Sequence, residues 1–198
     1  LDPLVLEVGH TEQLLAEDEL VPGERFAAAI PVDLSPDNSG RWQELKDGRK
    51  LWQIQLSVPK AYGMAVFLKD MNLAAGSQLF FYDSNGAEIR GAYHQESYLV
   101  GQPFWMGFVP SGDVIVEYQV PANTPAHLPF RIWRVDYAYR PLQQTLKNFE
   151  FGASKDCHPN ANCPLGDDWE DEKSALARII VVVAEGAGYC SGNLLNNT

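Results

Sequence analysis

The sequence predicts an all-β fold, and three observations carry that prediction. From Arg25 onward, runs with period-2 alternation dominate, the spacing at which one face of a strand is buried and the other solvated. Clusters of Gly, Pro, Asn, Asp and Ser interrupt these runs roughly every 8–12 residues, as turns do between the strands of a sandwich. The hydrophobic fraction is 45% of 198 residues, with five tryptophans, which is ample for a packed core and argues against wholesale disorder.

The elements follow in chain order. Thr11-Glu-Gln-Leu-Leu-Ala-Glu-Asp-Glu-Leu20 places Thr11 ahead of Leu14 and Leu15 and suits a short helix or polar turn, ended by Val21-Pro-Gly23. Phe26-Ala-Ala-Ala-Ile-Pro-Val-Asp-Leu34 is strand-like, and Ser35-Pro-Asp-Asn-Ser-Gly40 is a turn cluster. Between Leu51 and Val58 the alternation is clean. Trp52, Ile54, Leu56 and Val58 take one face, with Gln53, Gln55 and Ser57 on the other, the signature of a half-buried antiparallel strand.

Gly63-Met-Ala-Val-Phe-Leu68 is the next strand, followed by Gln78-Leu-Phe-Phe-Tyr82. Asp83-Ser-Asn-Gly86 then signals a hairpin, because Asn-Gly tolerates positive φ. Phe104–Val109 and Val114–Val120 form another pair, and Pro121 to Pro129 is a Pro-rich connection. Along Phe130–Tyr139, strict alternation sets Arg131, Trp133, Val135, Tyr137 and Tyr139 against Phe130, Ile132, Arg134 and Asp136. Phe80, Phe81 and Tyr82 are consecutive, so Phe81 points away from its two neighbours. That makes Phe81 the candidate for a partner or inter-domain surface. The wider aromatic set, Trp42 and Trp105 included, suits either core packing or a sugar-stacking platform, and core packing is the commoner use of rings on strands.

Composition excludes several functions. The net charge is -11 and the basic residues are scattered, which argues against nucleic acid, since phosphate contacts need clustered Lys and Arg. No apolar run reaches the roughly 18 residues of a membrane span, and no signal peptide is visible after Leu1. A signal is either removed or upstream. The acidic run Asp167-Asp-Trp-Glu-Asp-Glu172 offers carboxylates that suit calcium, but it lacks the glycine and spacing of a calcium loop. It reads as a solvated surface loop. No metal or other cofactor is expected.

Candidate chemistry in the chain itself is sparse. His94 and His127 fall in expected loops, next to no obvious nucleophile. A Ser-His-Asp set among Ser97, His94 and Asp113 is a question of geometry that sequence leaves open. There is no Gly-x-Ser-x-Gly elbow. All three cysteines, Cys157, Cys163 and Cys190, lie in the last quarter. An odd count implies a free thiol or a partner elsewhere. A local Cys157–Cys163 bridge with a free Cys190 is sterically allowed, whereas Cys157, His158 and Cys163 lack the paired spacing of structural zinc sites.

The last residues carry the most specific signal. They contain two cysteines six residues apart, the turn Cys163-Pro-Leu-Gly-Asp167, the apolar strand Ala177-Arg-Ile-Ile-Val-Val-Val183, and Cys190-Ser-Gly-Asn-Leu-Leu-Asn-Asn-Thr198. This combination resembles the mature amino terminus of the bacterial lysyl endopeptidases, secreted serine peptidases of the trypsin-like double β-barrel fold. The resemblance implies a Ser-His-Asp triad and an oxyanion hole for the whole enzyme, with every triad member after Thr198. It also implies that Cys157, Cys163 and Cys190 pair with cysteines further downstream. Aligning Cys157 with the family's first mature cysteine puts the amino-terminal glycine at Gly152, hence a processing bond at Phe151–Gly152. An enzyme cutting after lysine would choose Lys147 or Lys155 instead.

Residues of about 40 to 140 more loosely resemble the jelly-roll-like pro-domains ahead of many secreted bacterial peptidases. Ala74-Ala75 departs from that pattern, which usually carries proline there. The organisation expected is therefore a pro-segment (residues 1–24), a β-sandwich pro-domain (25–140), a linker with the processing region (141–151), and the first part of a peptidase domain (152–198) whose strands, lacking the rest of their barrel, are left as an exposed edge. On this reading the chain is the leading part of a secreted bacterial peptidase precursor. The pro-domain assists folding and latency, with its own peptidase domain as partner and proteins as substrates of the complete enzyme. The alternatives are a glycan- or surface-binding sandwich and a stand-alone inhibitor or chaperone.

Overall fold

The fold is that of a computed structural model, which describes residues 1–20, 25–125, 127–141 and 164–195. Among the described residues twelve strands form two six-stranded sheets, an all-β architecture. The first sheet contains β1 (Leu4–Val5), β3 (Arg41–Glu44), β4 (Lys50–Ser57), β6 (Gln78–Asp83), β7 (Ile89–Tyr93) and β9 (Asp113–Val120). Its order is β1-β4-β9-β6-β7, with β3 also on β4. The second contains β2 (Arg25–Leu34), β5 (Gly63–Lys69), β8 (Phe104–Val109), β10 (Arg131–Ala138), β11 (Leu176–Val183) and β12 (Gly186–Asn193). It is ordered β11-β12-β2-β10-β5-β8. Two α-helices, α1 (Thr11–Leu20) and α2 (Glu170–Ala175), and two 3-10 turns, Gln95–Ser97 and Pro164–Trp169, complete the described elements.

The core lies between the sheets and is built by the alternation read from sequence. Trp52, Ile54, Leu56 and Val58 are buried. They meet Val114, Val116, Tyr118 and Val120 of β9 in one cluster with Phe130 and Ile132 from the other sheet. The rings interlock edge to face: Phe130 stands 5.6 Å from both Trp52 and Tyr118, a geometry that pairs ring edges with π faces. The polar ends of these side chains are also placed, since Trp52 Nε1 donates to Ser39 O at 2.8 Å and Ala74 N donates to the Tyr118 hydroxyl at 3.0 Å.

The Asp83–Gly86 turn forms as its residues require. Gly86 has φ +73 and its N–H donates to Asp83 O at 2.9 Å. The preceding strand corrects one expectation. Phe81 is 0% exposed, so it offers no contact surface. It does point away from Phe80 and Tyr82, but inward: Phe81 pairs with Val116, a core residue of β9, and this fixes the parity of β6. Phe80 and Tyr82 take the outer face, where Tyr82 donates to Glu117 Oε2 at 2.7 Å. Burial and that bond push the Tyr82 hydroxyl well above its ordinary range.

Strict alternation also fails in β10. The register shifts between Ile132 and Arg134 against both neighbouring strands. A bulge reverses which face later residues take. Phe130 and Ile132 therefore share the core with Val135, Tyr137 and Tyr139, and Arg134 and Asp136 turn to the opposite side of the sheet.

Helix α1 does not gather its apolar residues on one face. It is held by a polar anchor. Asp18 accepts from Arg25 Nη2 at 2.8 Å and from the Tyr139 hydroxyl at 2.7 Å, and pairs with Arg140 at 3.0 Å.

The carboxy-terminal strands depart from expectation. β11 and β12 pair as an antiparallel hairpin, and β12 adds to β2 through Gly186↔Ala28, Ala187↔Ala27 and Gly188↔Arg25. β12 therefore has a strand partner in the second sheet, and of the two hairpin strands it is β11 that lies at the sheet's edge. There Ile179, Val181 and Val183 are 44%, 42% and 51% exposed. The acidic run is solvated as expected, but it is helical rather than a loop: a 3-10 turn over Pro164–Trp169 leads into α2.

Candidate functional site

A buried polar arrangement lies on the outer face of the second sheet, where β2, β10 and β12 meet. The bulge in β10 puts Trp133 and Arg134 on this side together, Trp133 packing on the small outer cluster of Phe26, Ala27, Ala65, Phe67, Phe108, Ala138 and Ala187. Arg134 is 5% exposed and Asp136 is 0% exposed. Arg134 Nε and Nη2 donate to the two oxygens of Asp136 at 2.5 and 2.8 Å, a bidentate pair of the strong, geometry-defining kind. Burial raises the Asp136 carboxyl above its ordinary range, and the Arg134 bonds act in the opposite direction. The guanidinium also lies 4.8 Å from the centre of the Phe67 ring, a cation–π contact.

This pair reaches the hairpin. Arg134 Nη2 donates to Gly186 O at 3.1 Å, and the neighbouring Ala29 N–H donates to Glu185 O at 3.0 Å. Two consecutive carbonyls of the hairpin turn are thus held by donors from two strands. Gly186 is required at this point, because a Cβ there would lie 2.0 Å from Ala27 O. On β2, Ala187 opposes Ala27 and Gly188 opposes Arg25, so Phe26 is an extra residue in the ladder. It joins the outer cluster. Its ring stacks on Tyr189 at 4.4 Å and meets Phe108 at 5.1 Å. The Arg178 guanidinium lies 3.6 Å from the Tyr189 ring centre.

The residues singled out by sequence are dispersed. Cys190 is exposed and has no disulfide partner among the described residues. Cys157 and Cys163, and the processing candidates Lys147, Phe151, Gly152 and Lys155, lie outside the described residues. Ser97, His94 and Asp113 are not brought together as a triad. The His94 ring is held against Ser77 O at 3.1 Å, the Ser97 hydroxyl accepts from the His94 backbone N–H at 2.9 Å, and the Asp113 N–H is bound to Ser111. Among the described residues, no three His, Cys, Asp or Glu side chains gather where they could hold one metal ion.

A separate, concave feature lies at the rim of the first sheet. It is a cleft of about 420 Å³ lined by Trp42, Tyr118, Asp37, Glu44, Lys50 and His127, among others. Trp42 is 42% exposed and its indole N–H donates to Pro36 O at 3.1 Å.

Sequence reading missed Arg134, Asp136 and Gly186. The available signal was a pair of opposite charges, Arg134-Val-Asp136, inside an otherwise apolar aromatic strand. Charged residues are rarely buried unless paired.

The hairpin gripped at this face lies within a segment that is similar to a peptidase family. Residues 151–198 match the family model described as lysyl endopeptidase, C-terminal domain. The match relates the carboxy-terminal end of the chain to this hydrolase family, and the sandwich strands from β1 to β10 lie outside it.

Proposed function

We propose that the chain is the leading part of a secreted serine endopeptidase precursor, in which residues 25–140 are a folding and latency domain for the peptidase segment that follows. One observation carries this reading. A hairpin within the peptidase-matched segment is a continuation of the sandwich's own sheet, with β12 on β2 and Gly186 O bound by Arg134. A pro-domain that templates a β-rich enzyme needs a surface of this kind, because an unpaired strand edge invites aggregation. The sandwich supplies an edge and buried donors to the hairpin while the hairpin's remaining partners form. Catalysis in the complete enzyme is acyl transfer by a Ser-His-Asp triad with an oxyanion hole, from residues after Thr198. Lysine specificity would reside there as well.

Amino-terminal sequencing of the enzyme secreted from the native gene tests the processing step. The reading predicts a mature terminus at Gly152, or just after Lys147 or Lys155. A secreted product that still carries β1 to β10 in its active form would contradict it.

A second reading, a glycan-binding sandwich, rests on the Trp42 cleft. An exposed indole beside polar side chains is a surface on which a sugar ring can stack. Loss of saccharide retention on Trp42→Ala would support that reading; the absence of any saccharide retention by the native chain would end it.

A further inference from the structure

We infer that β2 and the outer face of β10 form a strand-capture groove selective for a Gly-Ala-x-Tyr segment, and that the sandwich keeps its hold on the peptidase-matched hairpin after the connecting chain is cut. The biological meaning of the second part rests on the precursor reading; the physical hold does not.

The selectivity is read position by position. Gly186 is fixed by the backbone of β2: an added Cβ would come 2.0 Å from Ala27 O and 2.9 Å from Ala28 Cα. Neither atom belongs to a flexible side chain, and Ala27 and Ala28 are paired with Ala138 and Tyr137 on their other side. Every residue except glycine is therefore excluded. Ala187 is 1% exposed within the outer cluster, and a larger side chain would overpack it. Gly188 stands at the ladder shift opposite Arg25. Tyr189 carries the aromatic contact, its ring 4.4 Å from Phe26. Main-chain bonds give the groove its general affinity for a strand, and side-chain fit gives its selectivity, as in other cases of strand addition to a sheet edge.

The persistence follows from where the contacts lie. The bonds from Ala29 to Glu185 and from Arg134 to Gly186, and the stack of Phe26 on Tyr189, join residues 26–134 directly to residues 185–189. None of them passes through residues 142–163. Cutting the chain there breaks none of these contacts. It removes only the effective concentration that the covalent connection supplies. The bond from Arg134 to Gly186 O is also lost when the hairpin is withdrawn, so it adds the net worth of one charge-assisted hydrogen bond to retention. A processed pro-region would therefore remain on its peptidase segment until another strand or a protease displaces it.

The test uses the full 198-residue chain, tagged at its amino terminus, with a recognition site for a specific protease inserted after Lys147. Cleavage is taken to completion on a denaturing gel before the sample is passed through gel filtration under native conditions. Co-elution of the two pieces is expected. Gly186→Val should abolish co-elution, and Tyr189→Ala should reduce the retained fraction by about tenfold, the scale of one aromatic pair. Near-UV circular dichroism of each variant checks that the Trp52 core remains packed. Separation of the native pieces would overturn retention. Retention of the Gly186→Val piece as strongly as the native one would overturn selectivity. Active-site labelling of the enzyme bears only on the precursor reading, so the two can fail separately.

Discussion

Arg134 holds Asp136 by two bonds of 2.5 and 2.8 Å on the buried outer face of a sheet, and places a third on the carbonyl of Gly186 at 3.1 Å. A salt bridge two residues apart on one strand would ordinarily be a surface ornament of little energetic value. Here both partners are buried, so the pair acts as a polar joint between the sandwich and the peptidase-matched hairpin.

The joint predicts an asymmetric response to mutation. Arg134→Leu leaves the Asp136 carboxylate buried without its cation and should cost about 3–5 kcal/mol in urea unfolding. The double variant R134L/D136L removes both charges and should recover most of that loss. Equal destabilisation by the single and double variants would show that packing, rather than charge, sets the cost.

Gly186→Val predicts a local effect. The Cβ clash with Ala27 O should lift β12 from β2 at a cost of roughly 1–3 kcal/mol, typical of overpacking. Hydrogen exchange at the Ala29 amide, which donates to Glu185 O, should accelerate by about tenfold or more. The Val116 amide in the centre of the first sheet should keep its protection.

The α1 anchor predicts a pH dependence. Burial, and then its bond to Asp18, push the Tyr139 hydroxyl up to about 12. In the unfolded chain a tyrosine ionises near its usual value of roughly 10. The folded state thus retains a proton that the unfolded state has lost. The stabilisation is complete below about pH 10 and is lost as pH rises through about 12. Tyr82, Tyr93 and Tyr118 are shifted in the same direction. Tyr139→Phe should therefore make the alkaline fall in stability shallower without abolishing it. An unchanged slope between pH 10 and 12 would contradict the anchor.

Much of the sandwich was legible in the sequence because period-2 alternation is a local property. Trp52, Ile54, Leu56 and Val58 could be assigned to one face without knowing what covered them, and the structure buries all four. Asn85-Gly86 marked its turn for an equally local reason, the positive φ of glycine. Legibility ended where a register shift intervened. Nothing in Ile132-Trp-Arg134 announces a bulge, yet it moves Val135, Tyr137 and Tyr139 into the core and Arg134 out of it. Phe81 shows a related limit. Opposition to Phe80 and Tyr82 was readable, but which side was inside depended on its pairing with Val116, 35 residues away in sequence. The candidate site was missed for the same reason. Its parts come from β2, β10 and β12, and long-range strand pairing assembles them.

The measurement that tests the central reading most directly is covalent labelling with a fluorophosphonate probe, applied to the secreted product of the gene's whole reading frame. The precursor account predicts a labelled serine on a species whose amino terminus lies between Lys147 and Lys155, with the sandwich recovered as a separate, unlabelled piece. A product that takes up no label, from a reading frame that supplies no Ser-His-Asp set after Thr198, would contradict it.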